Sequence, residues 1–184
     1  MQYDDNSIMQ KDPLIDKILI SSHEISNRIS QLGTEISSDY GNSVPIIVNI
    51  LKGAYMFTAD LSRAITVHHE IDFMAISSYH GGTESTGVVK IEKDLKSNIT
   101  GRDVLIVEDI IDTGRTLDHL LELFKTRNPR SIKICTLLDK SCRRVVEVPV
   151  DYRGFEIPDE FVIGYGLDYD EKYRNLPFIG VMKP

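Results

Sequence analysis

Apolar residues spaced three or four positions apart predict three amphipathic helices. The first follows a capping box formed by Ser21 and Glu24, and it ends at Gly41. The apolar positions of the three helices are Ile25, Ile29, Leu32 and Ile36; Phe57, Leu61, Ala64 and Ile65; and Leu117, Leu120, Leu121 and Phe124. Each helix therefore has one apolar face that can pack against a sheet.

Continuous apolar runs separate these helices, and such runs are typical of strands that are buried on both faces. They cover residues 44–51, 71–76, 104–107 and 132–138. From Val145 onward the pattern changes to short strands with turns, at 150–152, 161–165 and 178–182. Residues 1–13 show neither pattern, so we expect a loosely packed tail there.

Strands that alternate with helices predict an α/β fold with a doubly wound, mostly parallel sheet. The short strands at the end of the chain predict a small hood subdomain over the carboxyl edge of that sheet. We find no repeat or linker that would divide the chain. We therefore expect residues 1–184 to form a single domain, with a core at roughly 14–144 and a hood at roughly 145–184.

Composition narrows the functional classes. The chain is 41% hydrophobic and 27% charged, which is typical of a soluble globular protein. Its net charge of −7 argues against nonspecific nucleic-acid binding, which needs many Lys and Arg contacts to phosphates. No apolar run reaches the roughly 20 residues that span a bilayer. Because the N-terminus is polar and acidic, unlike a secretory signal, we expect a cytoplasmic protein without membrane partners.

Cysteine and histidine spacings do not indicate a metal site. Cys135 and Cys142 match no zinc or CxxC spacing, and Cys135 lies in an apolar run that predicts a buried free thiol. The five histidines form no ligand spacing with another plausible ligand, so we expect them to be structural or exposed.

The most informative stretch is residues 104–117, in which the apolar run Val104–Val107 ends in Glu108 and Asp109. Two aliphatic residues, Asp112, a Thr-Gly-Arg-Thr turn and a helical pattern follow. Ligands of open α/β sheets bind at the carboxyl ends of strands, and the N–H groups of a helix N-terminus suit a phosphate. Capping by Asp112 or Thr113 is the simpler alternative, but three acids within five residues exceed what capping needs. The stretch therefore predicts a site for a sugar phosphate with a divalent metal.

Residues 108–116 resemble the phosphoribosyl-pyrophosphate signature of the type I phosphoribosyltransferases. More narrowly, they resemble the hypoxanthine-guanine phosphoribosyltransferases of purine salvage. Similarity extends from roughly residue 14 to the end of the chain. Further matching motifs are Leu51-Lys52-Gly53, Ser78-Tyr79, Leu138-Asp139-Lys140, residues 154–159, residues 161–169 and Tyr173-Arg174. The resemblance implies the type I phosphoribosyltransferase fold and transfer of a phosphoribosyl group to hypoxanthine or guanine.

The resemblance also implies how phosphoribosyl pyrophosphate is held. Glu108 and Asp109 would bind the ribose hydroxyls, directly or through Mg²⁺. The loop formed by Thr113, Gly114, Arg115 and Thr116 would hold the 5′-phosphate mainly through backbone N–H groups, and relatives vary at the arginine. Lys52, Gly53 and Arg174 would bind the pyrophosphate, with a cis peptide between Leu51 and Lys52. On local pattern alone, Lys52-Gly53 is an ordinary turn and Arg174 a surface charge.

For the purine, the resemblance implies a second group of residues. Asp112 would face N7, as general base or as hydrogen-bond partner. Lys140 would bind the 6-oxo group, and Phe161 would stack on the base. Val162 and Asp168 would offer backbone carbonyls, with the Asp168 carboxylate near a second Mg²⁺. Without the resemblance, Lys140 reads as a solvated lysine at a strand end and Phe161 as a core residue.

The stretch from Tyr79 to Lys96 is rich in glycine and charge and has little apolar periodicity. Its length favours a functional loop or a flexible hairpin. By resemblance, Ser78 and Tyr79 would begin a lid that excludes water from the reacting centre.

Two other functions remain open at this point. One is a regulator that binds phosphoribosyl pyrophosphate without turning it over, although no basic arm or helix-turn-helix extension is visible. The other is an enzyme for xanthine or a pyrimidine, since residue identity does not fix the contacts to the purine 2-position. We expect phosphoribosyl pyrophosphate and a 6-oxopurine as ligands and self-association as a dimer or tetramer, as in relatives.

Overall fold

The computed structural model describes residues 3–78 and 89–183. Its helices are α1 (Asp5–Met9), α2 (Ser22–Tyr40), α3 (Tyr55–Ala64) and α4 (Arg115–Lys125), with a short 3₁₀ helix at Ser141–Arg143. Its strands are β1 (Ile15–Ile20), β2 (Ile46–Leu51), β3 (Glu70–Ser78), β4 (Val89–Lys93), β5 (Asp103–Ile111), β6 (Ser131–Asp139), β7 (Tyr152–Glu156), β8 (Val162–Ile163) and β9 (Ile179–Met182).

The larger sheet has the strand order β4-β3-β2-β5-β6-β7. Neighbouring strands from β3 to β7 are parallel, and only β4, at the edge, is antiparallel to its neighbour. The predicted mostly parallel α/β sheet is therefore confirmed. The carboxyl ends of β2, β5 and β6 meet at one edge, where the signature stretch also ends.

Both faces of this sheet are covered, as the doubly wound prediction requires. Leu105 and Val107 of β5 pack on one side in a cluster with α2 and α3, whereas Val104 and Ile106 pack on the other side with α4. The helix α2 begins with the predicted capping box at Ser21 and ends at Gly41. Cys135 is fully buried and free, as expected from its apolar run.

A smaller sheet has the order β1-β9-β8 and all its pairings are antiparallel. The strand β1 was not predicted, and the expected loose tail is wrong. The Asp5 carboxylate of α1 accepts a hydrogen bond from the Ser22 amide at 2.7 Å, and Ile8 and Met9 pack on the small apolar cluster around Phe178. Because β1 joins the smaller sheet and β7 the larger, sheet membership does not follow chain order. The division at residue 144 stays a prediction.

The described part of the segment after β3 fits the hairpin alternative better than a loop that reaches Lys96. Residues 89–93 form β4, which pairs with β3 in an antiparallel hairpin. The Asp72 carboxylate then accepts hydrogen bonds from the backbone amides of Lys96 and Ser97 at 2.8 and 2.7 Å. Tyr79 and the residues up to 88 lie outside the described residues, so the lid prediction concerns a part of the chain not described here, apart from Ser78 at the end of β3.

None of the helices in the described ranges is both long and apolar enough to cross a membrane.

Candidate active site

A cleft of about 270 Å³ opens at the carboxyl ends of β2 and β5. The strand β5 continues past its apolar run through Ile111, so that Glu108 lies in the sheet opposite Thr136 of β6. The described residues that line the cleft are Ile50, Leu51, Lys52, Gly53, Ile76, Glu108, Asp109, Ile110, Ile111, Asp112, Thr113, Gly114, Thr116 and Leu117. Two segments that are 55 residues or more apart in the chain thus face each other across one cavity.

The two acids at the end of the apolar run are buried in this cleft. Glu108 is 8% exposed, and its pKa is well above the ordinary value because burial and the Asp109 charge both disfavour ionisation. Burial raises the pKa of Asp109 to about 6, against the hydrogen bond that its carboxylate accepts from the Ile110 amide at 2.9 Å. The charge of Arg174 lowers the pKa of Asp109, whereas that of Asp168 raises it. The empty site therefore disfavours the ionised forms of these two acids, and a bound cation or hydrogen-bond donor would favour them.

We expect the metal-free protein to gain thermal stability as the pH falls from 8 to 5.5. Asp109 has a higher pKa in the folded state than in the unfolded state, so its contribution is favourable at low pH and is lost as pH rises through about 6. Between pH 8 and 5.5 the gain is about 0.5–1 kcal/mol, because most of the difference in proton binding between the folded and unfolded states is expressed only below pH 5.5. It reverses below pH 4, where carboxylates with lowered pKa values, such as Asp103, become protonated.

Thermal melts in EDTA at several pH values would measure this gain, and Asp109→Asn serves as the matched variant. The other titratable groups are common to both proteins, so the difference between the two melting curves isolates Asp109. Equal pH dependence in both proteins would contradict the assignment.

The helix α4 begins at the cleft, where the backbone N–H groups of its first turn are hydrogen-bond donors. Gly114 precedes the helix with φ of 84°, a left-handed conformation that suits glycine. The first helical hydrogen bond runs from the Asp118 amide to the Gly114 carbonyl at 2.9 Å. The amides of Gly114, Arg115, Thr116 and Leu117 precede this bond and can donate to an anion, with the positive end of the helix dipole behind them. The structure thus places the predicted phosphate loop where a phosphate would be stabilised.

Residues 144–146, which the sequence motifs did not include, contact this loop and stabilise it. The amides of Val145 and Val146 both donate to the Thr113 carbonyl at 3.0 Å, and Arg144 donates to the Asp112 carbonyl at 3.2 Å. A Cβ atom at Gly114 would lie 2.2 Å from the Val146 carbonyl oxygen. Residues 144–146 therefore fix the shape of the loop, and glycine is needed at 114 for this close approach.

Arg144 is itself held by a buried ion cluster. Its side chain is 8% exposed and pairs with Asp139, whose other oxygen pairs with Arg153 at 2.8 Å. Because Asp139 ends β6 and Arg153 lies on β7, the cluster ties the loop to two strands. Two adjacent arginines after a strand were the only sequence signal for this role.

The turn Lys52-Gly53 approaches the acids from the opposite side of the cleft. The peptide bond between Leu51 and Lys52 is cis, as the resemblance implied. A Cβ atom at Gly53 would lie 1.6 Å from Asp109 Oδ2, and one at Gly166 would lie 2.0 Å from the Gly53 carbonyl oxygen. The turn is therefore packed between the buried acid and the loop that contains Gly166, which is more than an ordinary turn requires.

Arg174 is not a simple surface charge. Its side chain is 19% exposed, pairs with Asp168 at 2.8 Å and donates to the Gly166 carbonyl at 2.8 Å. Glu171 pairs with both Arg174 and Lys52, at 3.3 and 3.1 Å. The two cations that the resemblance assigns to the pyrophosphate are thus joined through one carboxylate.

Asp112 lies at the inner end of the phosphate loop, with its side chain 42% exposed. Its Oδ1 atom is buried and lies 3.1 Å from Nε of Arg143. Arg143 also donates to Asp159 at 3.3 Å. Neither Arg143 nor Asp159 was predicted as a site residue: no motif included Arg143, and Asp159 ended the matching motif 154–159 without an assigned role.

Lys140 is buried, which overturns the simpler reading of a solvated lysine. Its side chain is 9% exposed, its amide donates to the Ile111 carbonyl at 2.9 Å, and its Nζ atom lies 3.9 Å from Asp159. A lysine is seldom buried unless its ammonium group has a partner. The Lys140 backbone is therefore held at the end of β5, one residue from Asp112, and the ammonium group lies near Asp159.

Phe161 is 56% exposed, so it is not a core residue. Its ring meets Tyr169 edge to face, with 5.8 Å between the ring centroids, whereas Val162 is buried in β8. Phe161 and Tyr169 line a second cleft of about 480 Å³. Lys140, Arg115, Phe161, Val162 and Asp168 are not among the described residues that line the first cleft. Of the predicted purine residues, Asp112 therefore lines the first cleft with the phosphate loop, and Phe161 lines the second.

Metal binding was tested against the donor set. No group of three or more His, Cys, Asp or Glu side chains in residues 3–78 and 89–183 is arranged to hold a metal ion. Glu108, Asp109 and Asp168 nevertheless provide hard oxygen donors, and the raised pKa values of the first two show that their ionised forms lack the stabilisation that a cation would supply. Mg²⁺ keeps several waters and binds through one or two carboxylates plus substrate phosphates, so this partial set fits it.

Comparisons with known proteins agree with this geometry. A family model described as a phosphoribosyl transferase domain matches residues 18–170. The chain is 54% identical over 170 residues to the hypoxanthine-guanine phosphoribosyltransferase of Bacillus subtilis (strain 168), covering 92% of this chain and 94% of the relative. It is 51% identical over 179 residues to the bifunctional protein TilS/HprT of Listeria monocytogenes serotype 4b, covering 97% of this chain but 27% of that longer protein. A crystal structure of a hypoxanthine phosphoribosyltransferase from Staphylococcus aureus superimposes with a TM-score of 0.92 at 51% identity, covering 97% of this chain and 96% of that chain.

Proposed function

The chain belongs to the phosphoribosyltransferase family, and we infer that it transfers the 5-phosphoribosyl group from phosphoribosyl pyrophosphate to N9 of hypoxanthine or guanine. The products would be inosine or guanosine monophosphate and pyrophosphate, as in purine salvage. The observation that carries this function is the arrangement of one cleft: buried carboxylates at the end of β5 face the backbone donors of α4. That arrangement is complementary to a sugar that carries hydroxyls on one side and a phosphate on the other.

In this proposal each wall of the cleft binds one part of phosphoribosyl pyrophosphate. Glu108 and Asp109 accept hydrogen bonds from the ribose hydroxyls. The 5′-phosphate accepts hydrogen bonds from backbone amides of residues 113–116, at the N-terminus of α4. Lys52, Gly53 and Arg174 bind the pyrophosphate. Lys52 and Arg174 then exchange their internal partner, Glu171, for a ligand with more negative charge.

The purine would bind between this cleft and the exposed ring of Phe161. The Lys140 ammonium group donates to the 6-oxo group, a contact that disfavours adenine because its 6-amino group also donates. Val162 and Asp168 offer backbone carbonyls to the far edge of the base. Asp112 faces N7, where an ionised carboxylate can accept a hydrogen bond or the proton itself.

Catalysis in this proposal stabilises a ribose C1 that carries positive charge while the bond to pyrophosphate breaks. The buried carboxylates lie on the sugar side and are worth more there than in water, since the cleft excludes solvent. Asp112 accepts the proton from N7, which keeps the attacking nitrogen, N9, nucleophilic. We also propose that Ser78 and Tyr79 begin a lid that keeps water from attacking C1.

We propose Mg²⁺ as the cofactor, held by Glu108 and Asp109 through the ribose hydroxyls and by Asp168 on the pyrophosphate side. When bound, it would neutralise the charge of the departing pyrophosphate.

A substrate panel tests the function. The purified chain would be assayed with phosphoribosyl pyrophosphate, Mg²⁺ and each of hypoxanthine, guanine, xanthine and adenine, with nucleotide formation followed by absorbance. We expect turnover with hypoxanthine or guanine and none with adenine. A strong preference for xanthine would identify xanthine as the substrate. No turnover with any purine, together with normal binding of phosphoribosyl pyrophosphate, would indicate a regulator instead.

Substitution of Lys140 tests the purine contact separately. We expect Lys140→Met to raise KM for hypoxanthine by about 10-fold, because one charge-assisted hydrogen bond is worth about 1.5–3 kcal/mol and methionine fills a similar volume. KM for phosphoribosyl pyrophosphate should change little. The exposed Lys172, which lies in the loop around Arg174, provides a control as Lys172→Met. An unchanged KM for hypoxanthine in Lys140→Met would exclude the contact.

We further propose a cytoplasmic enzyme that self-associates, as a dimer or tetramer. Exposed apolar side chains on the outer strands of the larger sheet, Ile71, Phe73 and Ile91, support a contact between copies. Light scattering of the purified chain would measure the oligomeric state.

A further inference from the structure

We infer that Arg143 is a positioning residue that orients the Asp112 carboxylate for the purine, an inference that rests on the proposed function. The basis is a bridge of alternating charges at the junction of the two clefts. Nε of Arg143 lies 3.1 Å from Asp112 Oδ1, and its Nη1 atom lies 3.3 Å from Asp159 Oδ1. One guanidinium thus forms ion pairs with two carboxylates: it donates a hydrogen bond to Asp159, and it provides the charge beside Asp112 Oδ1, which accepts no hydrogen bond among the described residues.

The two oxygens of Asp112 have different roles in this bridge: one faces Arg143 and the other is left for a ligand. Oδ1 is buried and faces Arg143, although the side chain as a whole is 42% exposed. The exposed surface therefore lies on the other atoms of the side chain, and Oδ2 is the oxygen left for a ligand. A carboxylate with one oxygen fixed by a cation loses rotational freedom about its last bond. The free oxygen can then be aimed at N7 before the base arrives.

The bridge also connects the three segments that the purine would contact. Asp112 follows β5, Arg143 lies in the 3₁₀ helix after β6, and Asp159 lies two residues before Phe161. Lys140 approaches the same Asp159, with 3.9 Å between Nζ and Oδ1. The general base, the 6-oxo donor and the stacking ring are thus set relative to one another through Arg143 and Asp159.

Local structure makes Arg143 suited to this task. Arg144 is fixed to the buried Asp139 and to the Asp112 carbonyl, so the backbone next to Arg143 is anchored. Arg143 itself is half-exposed, and its guanidinium is the charged group beside the buried Oδ1 of Asp112. A flat guanidinium with donors on two edges can bridge two carboxylates, whereas a lysine ammonium group is a single point charge.

A double-mutant cycle tests the inference. Arg143→Gln should lower kcat for hypoxanthine by about 10-fold, the lower end of what loss of an orienting partner costs, with KM for phosphoribosyl pyrophosphate unchanged within about twofold. In an Asp112→Asn background the same change should alter kcat less than about twofold, since Arg143 acts through that carboxylate. Asp159→Asn should cause a smaller loss, because Arg143 then keeps only one anchor.

Arg102→Gln is the matched control. Arg102 also pairs with an acid, Glu70, at 2.7 Å, but it lies just before β5, at the opposite end of that strand from Asp112. It should retain the kcat of the unsubstituted chain, and all variants should melt as that chain does. Unchanged kcat in Arg143→Gln, or a full 10-fold loss in the Asp112→Asn background, would overturn the inference. An unsubstituted chain that is inactive with every purine would instead refute the proposed function.

Discussion

Asp112→Asn is expected to lower turnover by about 10²–10⁴-fold while the protein folds normally, the usual span for lost acid–base catalysis. The substitution keeps the shape of the side chain but replaces a carboxylate with an amide that cannot take a proton from N7. Half-exposure of the side chain and its position in a loop rather than in the core explain why the fold should tolerate the change. The backbone contacts of Arg144 to this loop do not involve the side chain.

Steady-state kinetics with hypoxanthine and phosphoribosyl pyrophosphate would measure this loss, together with a thermal melt. We expect kcat to fall much more than the affinity for phosphoribosyl pyrophosphate changes, because the ribose and phosphate contacts are made by other residues. Asp118→Asn makes the same chemical change in the first turn of α4, outside the described lining of the cleft, and should stay within about twofold of the unsubstituted chain. Full turnover in Asp112→Asn would refute the assigned role.

Local patterns were sufficient to predict the core of the fold. The helices α2, α3 and α4 each bury one apolar face, and the strands β2, β5 and β6 bury both faces, so local apolar patterns predict them. The strand β3 was also predicted from its apolar run, although Ile71 and Phe73 leave one of its faces exposed. The acids at the end of β5 could also be placed from sequence, since parallel strands deliver their carboxyl ends to one edge. These features depend on neighbours in the chain.

Features that depend on distant parts of the chain were missed. The strand β1 was not predicted because it is stabilised by pairing with β9, about 160 residues later. The helix α1 was taken for a loose tail, since its contacts to Ser22 and to the cluster around Phe178 are invisible in a five-residue segment. Short elements carry too little periodicity of their own, and tertiary contacts decide them.

The candidate site shows the same division. Glu108, Asp109 and Asp112 could be predicted from their spacing, and Lys52, Lys140, Phe161 and Arg174 only through the resemblance. Arg143 and Asp159 could not be predicted at all, because their meaning arises from contacts with Asp112 across separate loops. A charged residue in a loop is ordinary until the fold shows what it faces.

Gly53→Ala is expected to reduce kcat/KM for phosphoribosyl pyrophosphate by about 10- to 100-fold without unfolding the protein. The new Cβ atom would lie 1.6 Å from Asp109 Oδ2 and 2.5 Å from Asp109 Cγ. The clash is with the far end of a side chain, so the backbone need not move and Asp109 must rotate away. The ribose then loses one charge-assisted contact, which is worth about 1.5–3 kcal/mol.

The outcome separates two explanations for a glycine at this position. If the backbone needed glycine, alanine would mainly lower the melting temperature; if the space is needed by Asp109, alanine would mainly weaken ligand binding. Calorimetry with phosphoribosyl pyrophosphate and a thermal melt distinguish the two. Gly101→Ala is the control, since Gly101 has a φ of 70° and no neighbour within 4 Å of an added Cβ atom, so it should lose some stability and keep its affinity. Normal affinity in Gly53→Ala would show that the ribose does not depend on the position of Asp109, and the roles assigned to the two walls of the cleft would have to be redrawn.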